Sequence, residues 1–146
     1  MLTLQELVAD NAERINFKWI AGEQAAAQAI TNNLGRAGAD LVGHLNLIHP
    51  SRVQVLGAEE LAYYTNFDAQ RRLRLLEELQ AGGVPAILIA EGLQAPDGLR
   101  DFCEANAIPL LGTHIDAAQL IDLLRIYLGK RLAPKTLMHG VFLDVL

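Results

Sequence analysis

The sequence predicts an α/β domain, layered around a largely parallel sheet in its later half. Three observations carry that reading. From Arg52 onward, strand-like and helix-like segments alternate, the pattern of helices packed on a parallel sheet. Ala86-Ile87-Leu88-Ile89-Ala90 is an unbroken apolar run, as in a strand buried on both faces. Glycine and proline punctuate the alternation at Gly57, Gly82-Gly83 and Pro96.

The elements follow in order. Leu2, Leu4, Leu7 and Val8 recur at helical spacing, with Thr3 as N-cap and Glu6 three residues on. This is a capping-box pattern for a first helix of about ten residues. Phe17, Trp19 and Gly22 mark a short strand-like stretch. Glu23 to Asn33 is ambiguous: its alanines favour helix, whereas Thr31-Asn32-Asn33, Gly35 and Gly38 favour loops. Leu41 to Leu47 is apolar and bounded by Gly43 and His49-Pro50. Arg52 to Gly57 alternates polar and apolar residues, which predicts a half-buried strand. Ala58-Glu59-Glu60-Leu61 opens a helix whose acidic first turn suits the helix dipole.

A second helix spans Asp68 to Gln80, with Leu73, Leu76 and Leu79 as its apolar stripe and Gly82-Gly83 as its stop. After the Ala86–Ala90 strand, Ala95-Pro96-Asp97-Gly98 starts another helix. Ile108 to Leu111 is a short strand. Asp116 is an N-cap for a helix over Ala117 to Leu128, with Leu120, Leu123, Leu124 and Tyr127 inward.

Composition excludes some classes of function. The chain has 146 residues, about half of them apolar (51%), enough for one domain with a core plus a remnant. A net charge of -5 argues against a nucleic-acid surface. The cluster Arg71-Arg72-x-Arg74 reads as a solvated helix face, with an anion site as the sharper alternative. Cys103 is the only cysteine, so no internal disulfide forms, which fits a reducing compartment. It reads as a small core residue, or else as a reactive thiol. No apolar stretch approaches the roughly 20 residues of a membrane span, and the N-terminus lacks a signal-peptide pattern. A cytoplasmic location, with no membrane and no nucleic-acid partner, is the expectation.

The ending carries further information. Ala133-Pro134-Lys135-Thr136 is linker-like and leads into His139-Gly140, after which Val141 to Leu146 runs on as an apolar strand. Domains seldom stop inside such a strand, because its backbone groups need partners, so Leu146 reads as a truncation point. The strand then has no sheet to join, and Met138 to Leu146 is expected to be mobile or held by a neighbouring chain.

Three passages resemble one family. They are Gly43 to Gly57 (GHLNLIHPSRVQVLG), Ile108 to Thr113 (IPLLGT) and the Pro134 to Val145 ending with its HGV-x-x-DV strand. In this order they resemble the bacterial HPr kinase/phosphorylases. The resemblance implies an amino-terminal domain over residues 1–130, similar in fold to the nucleotide-sugar-binding domain of the Mur ligases. Residues 131–146 would be a linker and the first strand of a P-loop catalytic domain. The segment Glu23 to Gly38 departs most from the family. The resemblance also implies an enzyme that uses ATP and Mg²⁺ to phosphorylate a serine of the phosphocarrier HPr and removes the phosphate by phosphorolysis. It implies a homo-oligomer, a hexamer in the family, in which this domain serves assembly or regulation.

The residues themselves offer little catalytic chemistry. A P-loop needs a glycine-rich turn and a lysine followed by Ser or Thr. Gly129-Lys130 lacks the earlier glycine and is followed by Arg131, so this stretch of chain alone is expected to be inactive and to bind no cofactor. His139 is the catalytic candidate, because the resemblance implies that the HGV histidine lies beside the phosphate site. There it would hydrogen-bond phosphate oxygens or supply positive charge to a transition state. His44 and His49 have no spacing for a shared metal, and no metal site is expected. Arg52 and Gln54 share a strand face, where Arg52 would bind an acidic ligand or form an inter-domain or inter-subunit salt bridge. Glu59-Glu60 and Glu77-Glu78 are adjacent rather than facing, which suits solubility rather than acid/base work. A stand-alone module for a nucleotide-sugar-like ligand is the alternative function.

Overall fold

The computed structural model describes residues 1–30 and 37–133. Its centre is a five-stranded mixed sheet in the order β2-β7-β6-β5-β4. The strands are β2 (Lys18–Ala21), β4 (Val42–His44), β5 (Val53–Leu56), β6 (Ile87–Ile89) and β7 (Leu110–Gly112). The last four run parallel, and β2 pairs antiparallel with β7 at one edge. The α/β expectation therefore holds, with three of the four parallel strands in the half where the alternation placed them and β4 before it.

The first turn of the chain forms as its capping box dictates. Thr3 Oγ1 accepts the Glu6 N–H, and the Glu6 carboxylate accepts the Thr3 N–H, opening α1 (Leu4–Asp10). The helix has seven residues rather than ten, since Leu2 belongs to a short strand instead. That strand, β1 (Leu2–Thr3), pairs antiparallel with β3 (Ala29–Ile30). The ambiguous stretch after Gly22 thus resolves into a 3-10 turn, Glu23–Ala25, followed by β3, and residues 31–36 lie outside the description.

Helices cover both faces. On one side, α2 (Ala58–Asn66), α3 (Ala69–Ala81) and α4 (Asp97–Ala105) share a cluster with Leu56, Ile87, Ile89 and Leu110. On the other, α1 and α5 (Ala117–Arg131) pack with Val53, Val55, Leu88 and Leu111. Asp68 and Asp116 cap α3 and α5 by accepting the Arg71 and Gln119 N–H groups. The stripe of α3 differs from expectation. Leu73 is 48% exposed, and Leu75 joins Leu76 and Leu79 in the core. Leu75, Leu76 and Leu79 lie on one face at i, i+1 and i+4, and Leu73 falls at its margin.

A larger departure is β5. Its four residues are all buried, Gln54 included, so the strand is not half-exposed. It lies inside the sheet between β4 and β6. Its neighbours β4 and β5 run parallel, yet residues 45–52 join them without a helix. Such crossovers usually take a dozen or more residues. Here the Gln54 side chain ties down the short one. Its amide oxygen accepts the Asn46 N–H at 2.7 Å, and its NH₂ donates to the carbonyls of His49 and Arg52, each at 3.1 Å. Asn46 in turn accepts the Ile48 N–H, and Arg52 N–H donates to the His49 carbonyl. A buried amide with its bonds made is inexpensive; left unpaired it would not be.

Two glycines permit close approaches that no side chain would allow. Gly22 has φ of +73°, and a Cβ there would sit 2.0 Å from the Ile108 carbonyl oxygen. Its N–H donates to the Glu104 carboxylate, locking β2 against the end of α4. Gly38 lets the 3-10 turn Gly38–Leu41 lie on the last turns of α5, where a Cβ would meet the Leu128 carbonyl oxygen at 2.2 Å.

Candidate functional site

In parallel α/β sheets, ligands bind beyond the carboxyl ends of the strands. In this protein that edge is formed by His44 at the end of β4, Gly57 before α2, Glu91 after β6, and Asp116 before α5. Together with Glu59 and Glu60 they line a cleft of about 200 Å³. Four carboxylates and one imidazole face it.

The cleft's chemistry is largely spent on the fold. Glu60 Oε1 accepts the Gly57 N–H at 2.8 Å, closing the amino end of α2 from within. Glu60 Oε2 lies 3.5 Å from His44 Nδ1. The sequence reading gave Glu60 a helix-dipole and a solubility role; its position at the third residue of a helix after a glycine is the further signal for a cap. An anion would meet a helix end that already holds a carboxylate, with Glu59, Glu91 and Asp116 nearby. The nucleotide-sugar alternative is therefore not favoured here. Among the described residues, no group of three or more His, Cys, Asp or Glu side chains is arranged to hold a metal ion.

The other sequence candidates are dispersed. His44 ends β4, while His49 sits in the 45–52 connection. Arg52 carries a buried Nε with no hydrogen-bond partner, and no ion pair among the described residues engages it. Gln54 is its strand neighbour but is consumed by the crossover. Of the arginine cluster, Arg71 lies over the Phe67 ring at 4.2 Å, and Arg72 donates to the Phe67 carbonyl that ends α2. Lys130 is exposed in the last turn of α5, far from any phosphate-cradling turn. Glu77 and Glu78 are exposed on α3. Cys103 is fully buried, and burial pushes its thiol up to about 12, the behaviour of a core residue. His139, and with it the expectation for residues 138–146, lies outside the described residues.

One polar cluster was not anticipated. Tyr127 donates to Asp10 Oδ2 at 2.5 Å, and Arg131 Nη1 donates to the same oxygen at 2.7 Å and to the Tyr127 hydroxyl at 3.0 Å. Burial, then the bond to Asp10, pushes the Tyr127 hydroxyl up to about 12. The cluster clamps the end of α5 to the end of α1. Its partners are more than a hundred residues apart, so no local pattern announces it.

What the fold and this edge define is an α/β domain with helices on both sheet faces and an acidic edge whose nearest helix caps itself. No lysine-bearing phosphate loop occurs among its described residues. The chain belongs to the family described as HPr Serine kinase N terminus, whose model matches residues 2–128. It is 67% identical over all 146 residues to an HPr kinase/phosphorylase of Bordetella avium (strain 197N), covering 47% of that protein. It is 66% identical to the HPr kinase/phosphorylase of Bordetella pertussis (strain Tohama I), again covering 47%. With that of Cupriavidus necator it shares 43% identity over 148 residues, 99% of this chain and 46% of the relative. The chain thus spans about half the length of the curated relatives it matches. Among the described residues, no helix is long and apolar enough to cross a membrane.

Proposed function

We propose that this chain is the amino-terminal assembly and regulatory domain of a bifunctional HPr kinase/phosphorylase, with residues 1–130 as the domain and 131–146 leading into the catalytic part. The observation that carries the reading is the identity itself. It runs over the whole chain into relatives of twice the length that bear that name. In the whole protein, ATP and Mg²⁺ would serve a catalytic domain that phosphorylates a serine of HPr and reverses the step by phosphorolysis, within a cytoplasmic hexamer. The residues described here do not fit the nucleotide. The amino end of α2 holds its own carboxylate, and Lys130 lies exposed on a helix end. No step of the transfer is therefore assigned to them.

Two experiments test the reading. Incubated with HPr, ATP and Mg²⁺, the 146-residue chain forms no phosphoserine above background, whereas the full-length protein does. Turnover by the chain alone, or none by the full-length protein, overturns it. In the full-length enzyme, His139→Ala lowers both transfer and phosphorolysis by roughly ten- to a thousandfold, the usual cost of one lost transition-state contact. Rates within about twofold of the parent would make His139 structural.

A further inference from the structure

The carboxyl edge of the sheet contains a second cleft, next to the acidic one and of opposite sign. Strands β6 and β7 are parallel neighbours, but the chain leaves them in opposite directions. After β6 it passes to α4 on one face, and after β7 to α5 on the other. Adjacent strands whose connections diverge in this way open a crevice between them, the preferred position for ligands in sheets of this kind. Here the crevice has a volume of about 370 Å³, within the range of small-molecule sites.

Its walls come from three segments. Gly92 lies on the β6 side, Gly112 and His114 on the β7 side, Lys18 and Ile20 on the edge strand and Asn16 just before it. Lys18 pairs in register with Gly112, so the residue opposite the lysine has no side chain, and the tip of the Ile20 side chain lies beside it. The two loops are stitched together. Glu91 N–H donates to the Ile115 carbonyl at 2.8 Å and Gly92 N–H to the Thr113 carbonyl at 2.9 Å. Thr113, itself buried, donates to the Ile15 carbonyl at 2.7 Å, which fixes the third wall. Asn16, Glu91 and Gly92 all hold positive φ, of 55°, 65° and 65°. Side-chain residues adopt that conformation at a cost, and such strain gathers at ligand sites. The crevice is thus shaped before anything enters it, which lowers the cost of binding.

Charge decides what it would take. Lys18 and His114 are the ionisable groups that line it, and no carboxylate does. No ion pair among the described residues engages either one. The next cleft along the same edge carries four carboxylates, so of these two only the β6–β7 crevice suits an anion. The volume and the single lysine match one anionic group on a small body, not a nucleoside diphosphate.

We infer that the β6–β7 crevice binds a small phosphate monoester, with Lys18 as the charged contact, His114 and Asn16 as hydrogen-bonding partners and Gly112 with Ile20 as the floor. The test is a titration of the 146-residue chain with inorganic phosphate at constant ionic strength, followed by amide chemical shifts. Saturable shifts confined to residues 16–18, 92 and 112–114 are expected. Lys18→Gln, on an edge strand, weakens binding about tenfold or more through loss of a charge-assisted contact. Gly112→Ala crowds the floor and weakens it too; the nearest atom to the new Cβ is Ile20 Cδ1 at 3.2 Å, the far end of a flexible side chain, and Ile20 Cγ1 and the Ile89 carbonyl oxygen stand at ordinary contact distances of 3.8 and 3.9 Å, so the fold is kept. Shifts that are linear and spread over the surface, or saturable binding equally strong in Lys18→Gln, overturn the inference.

Discussion

Two neighbouring strands, β5 and β6, are equally buried and were not equally readable. Both are interior, both run parallel to their neighbours, and every residue of each is shielded. The sequence Ile87-Leu88-Ile89 declares its burial outright. Val53-Gln54-Val55-Leu56 declares the opposite, because a polar residue between apolar ones is the mark of a strand with one wet face. The difference is what each strand is asked to hold. β6 holds only side chains from the helices above and below. β5 also holds a crossover of eight residues that has no helix to organise it, and Gln54 supplies the three hydrogen bonds that do so. Alternation in a sequence thus records polarity, not exposure, and the two part company where a buried amide serves the backbone.

Three measurements would break or sharpen this contrast. The largest effect is expected in β6. Leu88 is 1% exposed, and Leu88→Ala should cost about 3 kcal/mol of unfolding free energy by denaturant titration, from lost burial and the cavity left behind. A cost below about 1 kcal/mol would mean that the centre of the sheet repacks freely. In β5, Gln54→Leu adds apolar surface and yet should destabilise by about 2 kcal/mol, since the Asn46 N–H and the Arg52 carbonyl lose this partner and the His49 carbonyl is left with the Arg52 N–H. Faster hydrogen exchange at Asn46 should accompany it. If the leucine variant is more stable than the parent, Gln54 is a tolerated impurity in the core and not a tie.

The smallest signal concerns Cys103, which packs on the same face as Ile87 and Ile89. Its thiol ionises at about 12 in the fold against 9.0 as a free side chain. Because the folded value is the higher one, this contribution to stability is complete below pH 9 and is lost as the pH rises from there towards 12. Cys103→Ala should flatten the alkaline fall in stability over that window, and Cys103 in the parent should react with alkylating reagents only through opening of the fold. Rapid labelling under native conditions at pH 8 would contradict the burial described.

Elsewhere, legibility followed the range of the interaction. Caps written within four residues, at Thr3, Asp68 and Asp116, were recognisable or nearly so, because both partners stand in one short window. The parallel order was recoverable from the alternation of elements. Leu73 was misplaced because periodicity on a short helix fixes a spacing and not an orientation. The β6–β7 crevice left no trace in sequence. It depends on two loops leaving the sheet by different faces, and its lysine comes from a strand almost a hundred residues earlier than its histidine. Of the three passages that carry the family resemblance, Gly43 to Gly57 forms β4, β5 and the connection tied by Gln54, Ile108 to Thr113 contains β7, and the third lies outside the described residues.

The helix α5 begins three residues beyond the crevice histidine and ends at the clamp with Asp10. Fifteen residues at 1.5 Å each make a rod of about 22 Å. It is pressed against Gly38 near its far end and pinned by Arg131 to Asp10, with Glu6 3.9 Å away. A rod of that length acts as a lever: a tilt of about five degrees about its capped end would swing Arg131 by about 2 Å. Displacements too small to notice at the sheet edge would therefore be legible at the opposite pole, the point from which the chain runs on towards His139.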